Sequence, residues 1–384
     1  MIIKDEVYRT VEYTDLEKSI IDCADFQRLR RIKQMAFTYL VYPGATHSRF
    51  EHCIGTVYLA STICDKLGVS KEDKEKIRLY ALLHDVGHVA FSHEGERVLK
   101  KYLGDHEEVG RKKILSGEIA DAINENYKPQ EILGVENEQL GKIVTSDLGA
   151  DRMDYLQRDA QNTGVAYGII DVDRIIHTLR LVDGELCIEE NGLVAAESLL
   201  IARFMMFSTV YLHKTVRIAA AILKQALTLA IEEEAGLPEK FLNWGDEEAL
   251  LEMKKLKKAN SYTNMLWNRK LYKEVYSLDA KKYNKKDIDM LEEKLKQNCG
   301  VDVILDYPHE LFKPVNFKVR SGPLSHSLKA VDMKVNTDNG LAAIDELSVL
   351  VKALKENAEK RNKILVLAKE ENRELVSKAA KELM

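Results

Sequence analysis

The chain has 384 residues, enough for one large domain and a smaller one around a sizeable core. Its 45% hydrophobic and 31% charged residues are those of an ordinary globular protein, and a net charge of −5 argues against a general nucleic-acid binder. Five cysteines without a CxxC pair read as free thiols. The opening MIIKDEVYRT has no signal-like apolar core, and no apolar run approaches the ~18 residues of a membrane span, so a cytoplasmic location without membrane contact is expected.

In chain order, Thr14 and Glu17 form a capping box ahead of a helix on which Leu16, Ile20 and Ala24 recur at helical spacing. Pro43-Gly44 marks a turn. A helix is predicted from Ser48 to Gly68, and another from Ser70, with Asp73 at N3, to Gly87. TSDLGADRMDYLQRDAQN reads as a further helix, residues 180–192 as a hairpin turning at Asp183-Gly184, and the apolar stretch from Leu193 to Glu234 as one long helical tract. Residues 236–298 are Lys-Glu-rich and amphipathic at best. Short strands are expected at VDVILDY, NFKVRS and LKAVDMK, then a helix near 341–358, a strand at KILVLA and a last helix. The fold class is mainly α: a helical core over 1–225 and a small α+β region over 226–384.

Six of ten histidines lie between positions 47 and 106: His47, His52, His84, His88, His93 and His106. Adjacent ligands on a helix point about 100° apart, so His84 and Asp85 can share an ion only near a helix end, and Gly87 supplies one. His52 and Asp151 stand at helical positions able to complete a mixed N/O set, which suits one divalent ion such as Mn, Fe, Zn or Mg. A His-Asp dipeptide by itself carries little weight. The weight lies in four blocks: residues 27–60 (QRLRRIKQMAFTYLVYPGATHSRFEHCIGTVYLA), 82–96 (LLHDVGHVAFSHEGE), 149–165 (GADRMDYLQRDAQNTGV) and 203–217 (RFMMFSTVYLHKTVR).

In order and spacing these blocks resemble the HD-domain phosphohydrolases, and within them the branch of the deoxynucleoside triphosphate triphosphohydrolases. The resemblance implies an all-helical HD core and metal ligands at His52, His84, Asp85 and Asp151. It implies catalytic roles for His88 and His106, with Glu96 orienting an imidazole where the family has Asp. It implies phosphate contacts from Arg49, Arg152, Arg203 and Lys214, and sugar recognition by Gln34, Tyr155, Asp159 and Tyr211. His88, with an ordinary imidazole pKa, is expected to protonate the leaving oxygen. Leu212 departs from a polar residue in a relative. A nucleotide substrate and a homodimer or tetramer are further expectations. Other readings are an HD enzyme acting on a mono- or diphosphate or a cyclic dinucleotide, and a nucleotide-binding regulatory protein without turnover.

Overall fold

The computed structural model describes residues 1–307, 331–357 and 363–383. The principal helices are α1 Asp15–Asp22, α2 Arg49–Leu67, α3 Lys71–Leu83, α4 Ser92–Leu103, α5 His106–Leu115, α6 Ala150–Thr163, α7 Leu193–Met206, α8 Lys214–Glu233, α9 Asp246–Lys255, α10 Lys285–Cys299, α11 Val349–Asn357 and α12 Arg373–Leu383. The strands are β1 Ile2–Asp5, β2 Arg9–Glu12, β3 Leu179–Val182, β4 Glu185–Glu189, β5 Lys273–Asp279, β6 Val303–Asp306, β7 Lys334–Thr337, β8 Gly340–Ala343 and β9 Lys363–Ala368. The class is mainly α, a helical core continued by a smaller α+β region.

Local chemistry sets the helix boundaries. Thr14 accepts from the Glu17 amide while the Glu17 carboxylate accepts from the Thr14 amide, closing the expected box at α1. Ser48 and Glu51 do the same for α2, which Gly68 ends in the left-handed conformation at φ 66°. α2 is the central column: His52, Cys53, Ile54, Val57, Ala60 and Ile63 are all buried, and it packs between α3 and α6. A helix buried on most sides cannot be strongly amphipathic.

α3 is shorter than expected, ending at Leu83 instead of Gly87, so His84 and Asp85 sit at its C-terminal end. The chain then turns sharply through Gly87. A Cβ there would collide with the His106 carbonyl and the Gly110 amide, so glycine is what lets α5 lie against this turn.

The expected helical tract from Leu193 to Glu234 is interrupted. α7 passes into a wide π turn, Phe207–Tyr211, before α8 starts at Lys214. Glu190–Tyr211 is also, among the described residues, one stretch with the length and hydropathy of a membrane span. The sequence reading of no such run is corrected to that extent. In the fold, Ala196, Leu199, Leu200 and Met206 of this stretch are core residues, and Arg203 is buried in an ion pair.

Among the described residues, three small sheets flank the helices. β1 and β2 form a hairpin not expected from sequence. β3 and β4 form the expected hairpin, with Asp183 and Gly184 both at positive φ in its turn. Its partner comes from far away: β7 runs parallel to β4, with Cys187 opposite Lys334, and β8 completes the order β3-β4-β7-β8. The third sheet has the order β5-β9-β6, all antiparallel. The VDVILDY and KILVLA strands are therefore present, β5 is an unexpected strand in the Lys-Glu-rich stretch, and the helix expected from 341 is preceded by β8. NFKVRS and the first three residues of LKAVDMK lie outside the described residues. Position 225 falls inside α8, and β7–β8 extend a sheet begun before it.

Gly87→Ala is expected to destabilise the chain by about 1–3 kcal/mol, the usual cost of forcing volume into a packed site, as a lower thermal midpoint. An unchanged midpoint would show that α5 is not seated on this glycine.

Candidate metal centre and adjoining cleft

Three helices bring the four expected ligands together. His52 comes from the first turn of α2, His84 and Asp85 from the end of α3, and Asp151 from the first turn of α6. His52 Nε2 lies 3.2 Å from Asp151 Oδ1 and 3.7 Å from Asp85 Oδ2. His84 Nε2 lies 3.6 Å from Asp85 Oδ1 and 3.8 Å from Asp151 Oδ1. The contacting atoms of His52, His84 and Asp85 all fall within 4.8 Å of one another.

Each imidazole presents one nitrogen because the other is taken. His52 Nδ1 donates to Asp154 Oδ2 at 2.7 Å, and His84 Nδ1 donates to the Ala81 carbonyl at 2.8 Å. These bonds occupy Nδ1 and leave both Nε2 atoms facing the ligand carboxylates. His84 Nε2 is buried without a hydrogen-bond partner, which is costly unless something else meets it. Burial opposes charge on His52, yet Asp151, Asp154 and Asp85 raise its pKa to about 10. A pocket this negative attracts a cation, and the set of two imidazoles and two carboxylates fits a divalent one.

Asp154 is held in turn. Arg158 grips it through Nε at 2.9 Å and Nη2 at 2.8 Å, and reaches Asp5 at the end of β1 through Nη1 at 2.9 Å. Gly55 makes room for this: a Cβ there would overlap Asp154 and Arg158. Neither Asp154 nor Arg158 was anticipated. Their signal was the spacing after Asp151, since positions three and seven residues on share its helix face.

Beside the ligands lies an imidazole cluster. His106 Nδ1 donates to Glu96 Oε2 at 2.7 Å, the orienting contact expected of Glu96. The rings of His106 and His88 stack at 4.1 Å, and His93, not anticipated as a site residue, lies 4.5 Å from His88. Burial and the Arg49 charge push His88 well below its usual pKa. Burial also lowers His93, to about 4, against the pull of Glu96. His106 is raised instead, because the Glu96 hydrogen bond and charge outweigh its burial. The expectation of an ordinary pKa for His88 is therefore corrected: His106 is the raised member. His106 and His93 line the cleft, whereas His88 and Glu96 stand behind its wall.

The cleft together with the open solvent at its mouth spans about 1320 Å³. Gln34, Arg49, Tyr155, Asp159 and Tyr211 line it with the metal-facing residues. Tyr211 donates to Asp159 Oδ2 at 2.7 Å, and His47 Nε2 donates to Asp159 Oδ1 at 2.7 Å. The Gln34 carbonyl oxygen is buried without a partner. Arg49 pairs with Asp85 and donates through Nε to Ser92 Oγ at 2.8 Å. Leu212, Val216, Phe37 and Phe91 supply apolar wall, and Asp306 and Tyr307 bring the C-terminal region into it. Arg217, which also lines the cleft and was not anticipated, pairs with Asp306 at 2.7 Å.

The other three expected phosphate residues stand outside this lining. Lys214 has a 60% exposed side chain, 3.5 Å from Glu274, and its expected role is not supported by that position. Arg152 and Arg203 are buried against Asp147, a residue sequence reading passed over. Burial lowers both guanidinium pKa values, that of Arg152 to about 9.

Residues 49–159 match the HD domain, and residues 170–384 match the HD associated region. An uncharacterized protein of Methanocaldococcus jannaschii is 36% identical over 372 residues, covering 92% of this chain and 76% of that one. A Dictyostelium discoideum protein described as a deoxynucleoside triphosphate triphosphohydrolase SAMHD1 homolog is 29% identical over 305 residues, 71% of this chain and 59% of its own length. A hypothetical protein of Aquifex aeolicus superposes with a TM-score of 0.80 at 31% identity, covering 98% of this chain and 99% of that one. A Bacteroides thetaiotaomicron phosphohydrolase shares the fold, with a TM-score of 0.75 at 24% identity, over 96% of this chain and 99% of its own. The two family regions run from the first ligand-bearing helix to the end of the chain, over a His-His-Asp-Asp centre with both imidazoles locked from behind, and this chain belongs to the HD-domain phosphohydrolases that carry an HD-associated region.

Proposed function

We propose that the chain hydrolyses deoxynucleoside triphosphates to deoxynucleoside and inorganic triphosphate. The observation that carries the reading is the wall beside the ligand set. There Asp159 is oriented by both His47 and Tyr211, with Tyr155 and the unpartnered Gln34 oxygen on the same cleft. Two directed carboxylate oxygens, an amide and two aromatic faces suit a sugar with few hydroxyls. Resemblance in the four sequence blocks and to the Dictyostelium protein supports the same substrate class.

His52, His84, Asp85 and Asp151 would hold a divalent cation, which would supply Lewis acidity to the phosphate and make a nearby water more acidic. The chain's own residues do the rest. Arg49 holds Asp85 in place and brings positive charge to the cleft. Water adds to the α-phosphorus, the bond to the 5′ oxygen breaks, and that oxygen takes a proton. His106 lines the cleft and holds its proton more tightly than its neighbours, so it is the group to give it. Glu96 keeps the ring oriented and balances its charge.

A nucleotide panel tests the substrate. Inorganic triphosphate released from dNTPs and not from NTPs is the expected product, and turnover confined to cyclic dinucleotides or monophosphates would overturn the reading. His84→Ala and Asp151→Ala are expected to lose bound metal, activity and the metal-dependent rise in thermal midpoint together; retention of all three would break the ligand assignment. Asp154→Asn keeps every ligand but loosens His52, so metal affinity measured by titration should fall about 10–100-fold. Undiminished affinity would mean that Asp154 serves only packing.

A further inference from the structure

Arg152 and Arg203 form a paired cation with an occupant already in it, behind the cleft wall, where Arg203 lies near enough to Tyr155, Tyr211 and Asp151 of the lining for their charges to act on it. Arg203 is 2% exposed and Arg152 9%. Arg203 Nη1 donates to Asp147 Oδ1 at 2.9 Å, and Arg152 Nη1 pairs with the same oxygen. The other oxygen, Oδ2, accepts the Asp332 amide at 2.8 Å, so the carboxylate is anchored from behind by the segment entering β7. Arg203 is left with Nε and Nη2 buried and without hydrogen-bond partners. A guanidinium has five donors in a planar fork suited to a tetrahedral oxyanion. One carboxylate oxygen shared by two such forks leaves most of that capacity unused, and buried donors without acceptors are expensive. Asp147 is thus a poor fit for the donors around it, and an anion with three terminal oxygens is a better one.

We infer that Asp147 is an internal counter-anion that competes with the terminal phosphate of the substrate for Arg152 and Arg203, and thereby sets how strongly the enzyme prefers triphosphates over shorter nucleotides. This rests on the triphosphate reading above. The logic is one of differential affinity. Without the carboxylate, two adjacent buried guanidinium ions would take any phosphate that reached them. With it, an incoming group must outcompete a resident charge. A terminal phosphate, with up to two charges and three acceptor oxygens, does so better than a bridging or α-phosphate. Asp147 is then a positioning residue that raises the affinity threshold and touches no reacting atom.

The test measures binding of inorganic triphosphate and inorganic phosphate to the metal-loaded protein by calorimetry, in wild type, Asp147→Asn and Asp147→Ser, with thermal midpoints as the check on folding. Both variants should bind inorganic triphosphate about 10-fold tighter and gain still more for inorganic phosphate, so the ratio between the two ligands narrows. Arg203→Ala should lose most of the triphosphate affinity while keeping its metal. In turnover, KM for dNTPs should fall in Asp147→Asn with little change in kcat, whereas a merely structural carboxylate would move kcat or both. Folded Asp147 variants that bind inorganic triphosphate no better than wild type would overturn the inference. The function reading fails separately: wild type that binds inorganic triphosphate through Arg203 and turns over no dNTP would sink that reading and leave the competition intact.

Discussion

The site depends on one hydrogen bond, that from His52 Nδ1 to Asp154. An imidazole can coordinate through either nitrogen, and only the loss of Nδ1 to a fixed acceptor commits Nε2 to the cluster. The acceptor must itself be immobile and charged. Arg158 makes it so, lowering the Asp154 pKa to about 2 against the burial that would raise it. Arg158 in turn draws on Asp5. The chain of contacts runs from a ligand through two turns of α6 to the first strand, and every member is nearly inaccessible to water. Burying four charges is costly unless each is paired, and here each carboxylate meets a cation or an imidazole.

The second organising feature is the division of labour among the histidines. Six lie within sixty residues, but they do four different things. Two face the ligand carboxylates, one directs Asp159, one holds a proton against Glu96, and two are kept neutral by burial. Identical side chains acquire these roles from position alone: how deeply the ring is buried near Arg49, and whether a carboxylate stands behind it.

Much of this was legible in the chain itself. The capping residues Thr14 and Ser48, the His84-Asp85 pair near a helix end and the turn at Asp183-Gly184 are local signals, and each appears where local chemistry put it. What escaped was non-local. β5 is hidden by its charges, since Lys273, Glu274 and Asp279 mask a strand whose pairing with β9 lies some ninety residues on. The parallel pairing of β4 with β7 leaves no mark at either position. Among site residues, Asp147 and His93 gave no sign because their importance comes from what faces them. His88 was assigned an ordinary pKa because its burial beside Arg49 is a property of the fold.

The π turn at Phe207–Tyr211 has a consequence for how this protein can change over evolutionary time. A wide turn accommodates one residue more than a regular helix would, and it swings Tyr211 onto Asp159 while Arg203, two turns earlier, faces Asp147. Deleting a residue here would give a more regular helix. It would also rotate everything downstream by about 100° relative to Arg203, separating the two contacts that this stretch serves. Substitutions in 207–210 are therefore a matter of packing, but insertions and deletions are a matter of phase. Descendants of this sequence are free to vary the letters of that turn, Tyr211 apart, far more than their number.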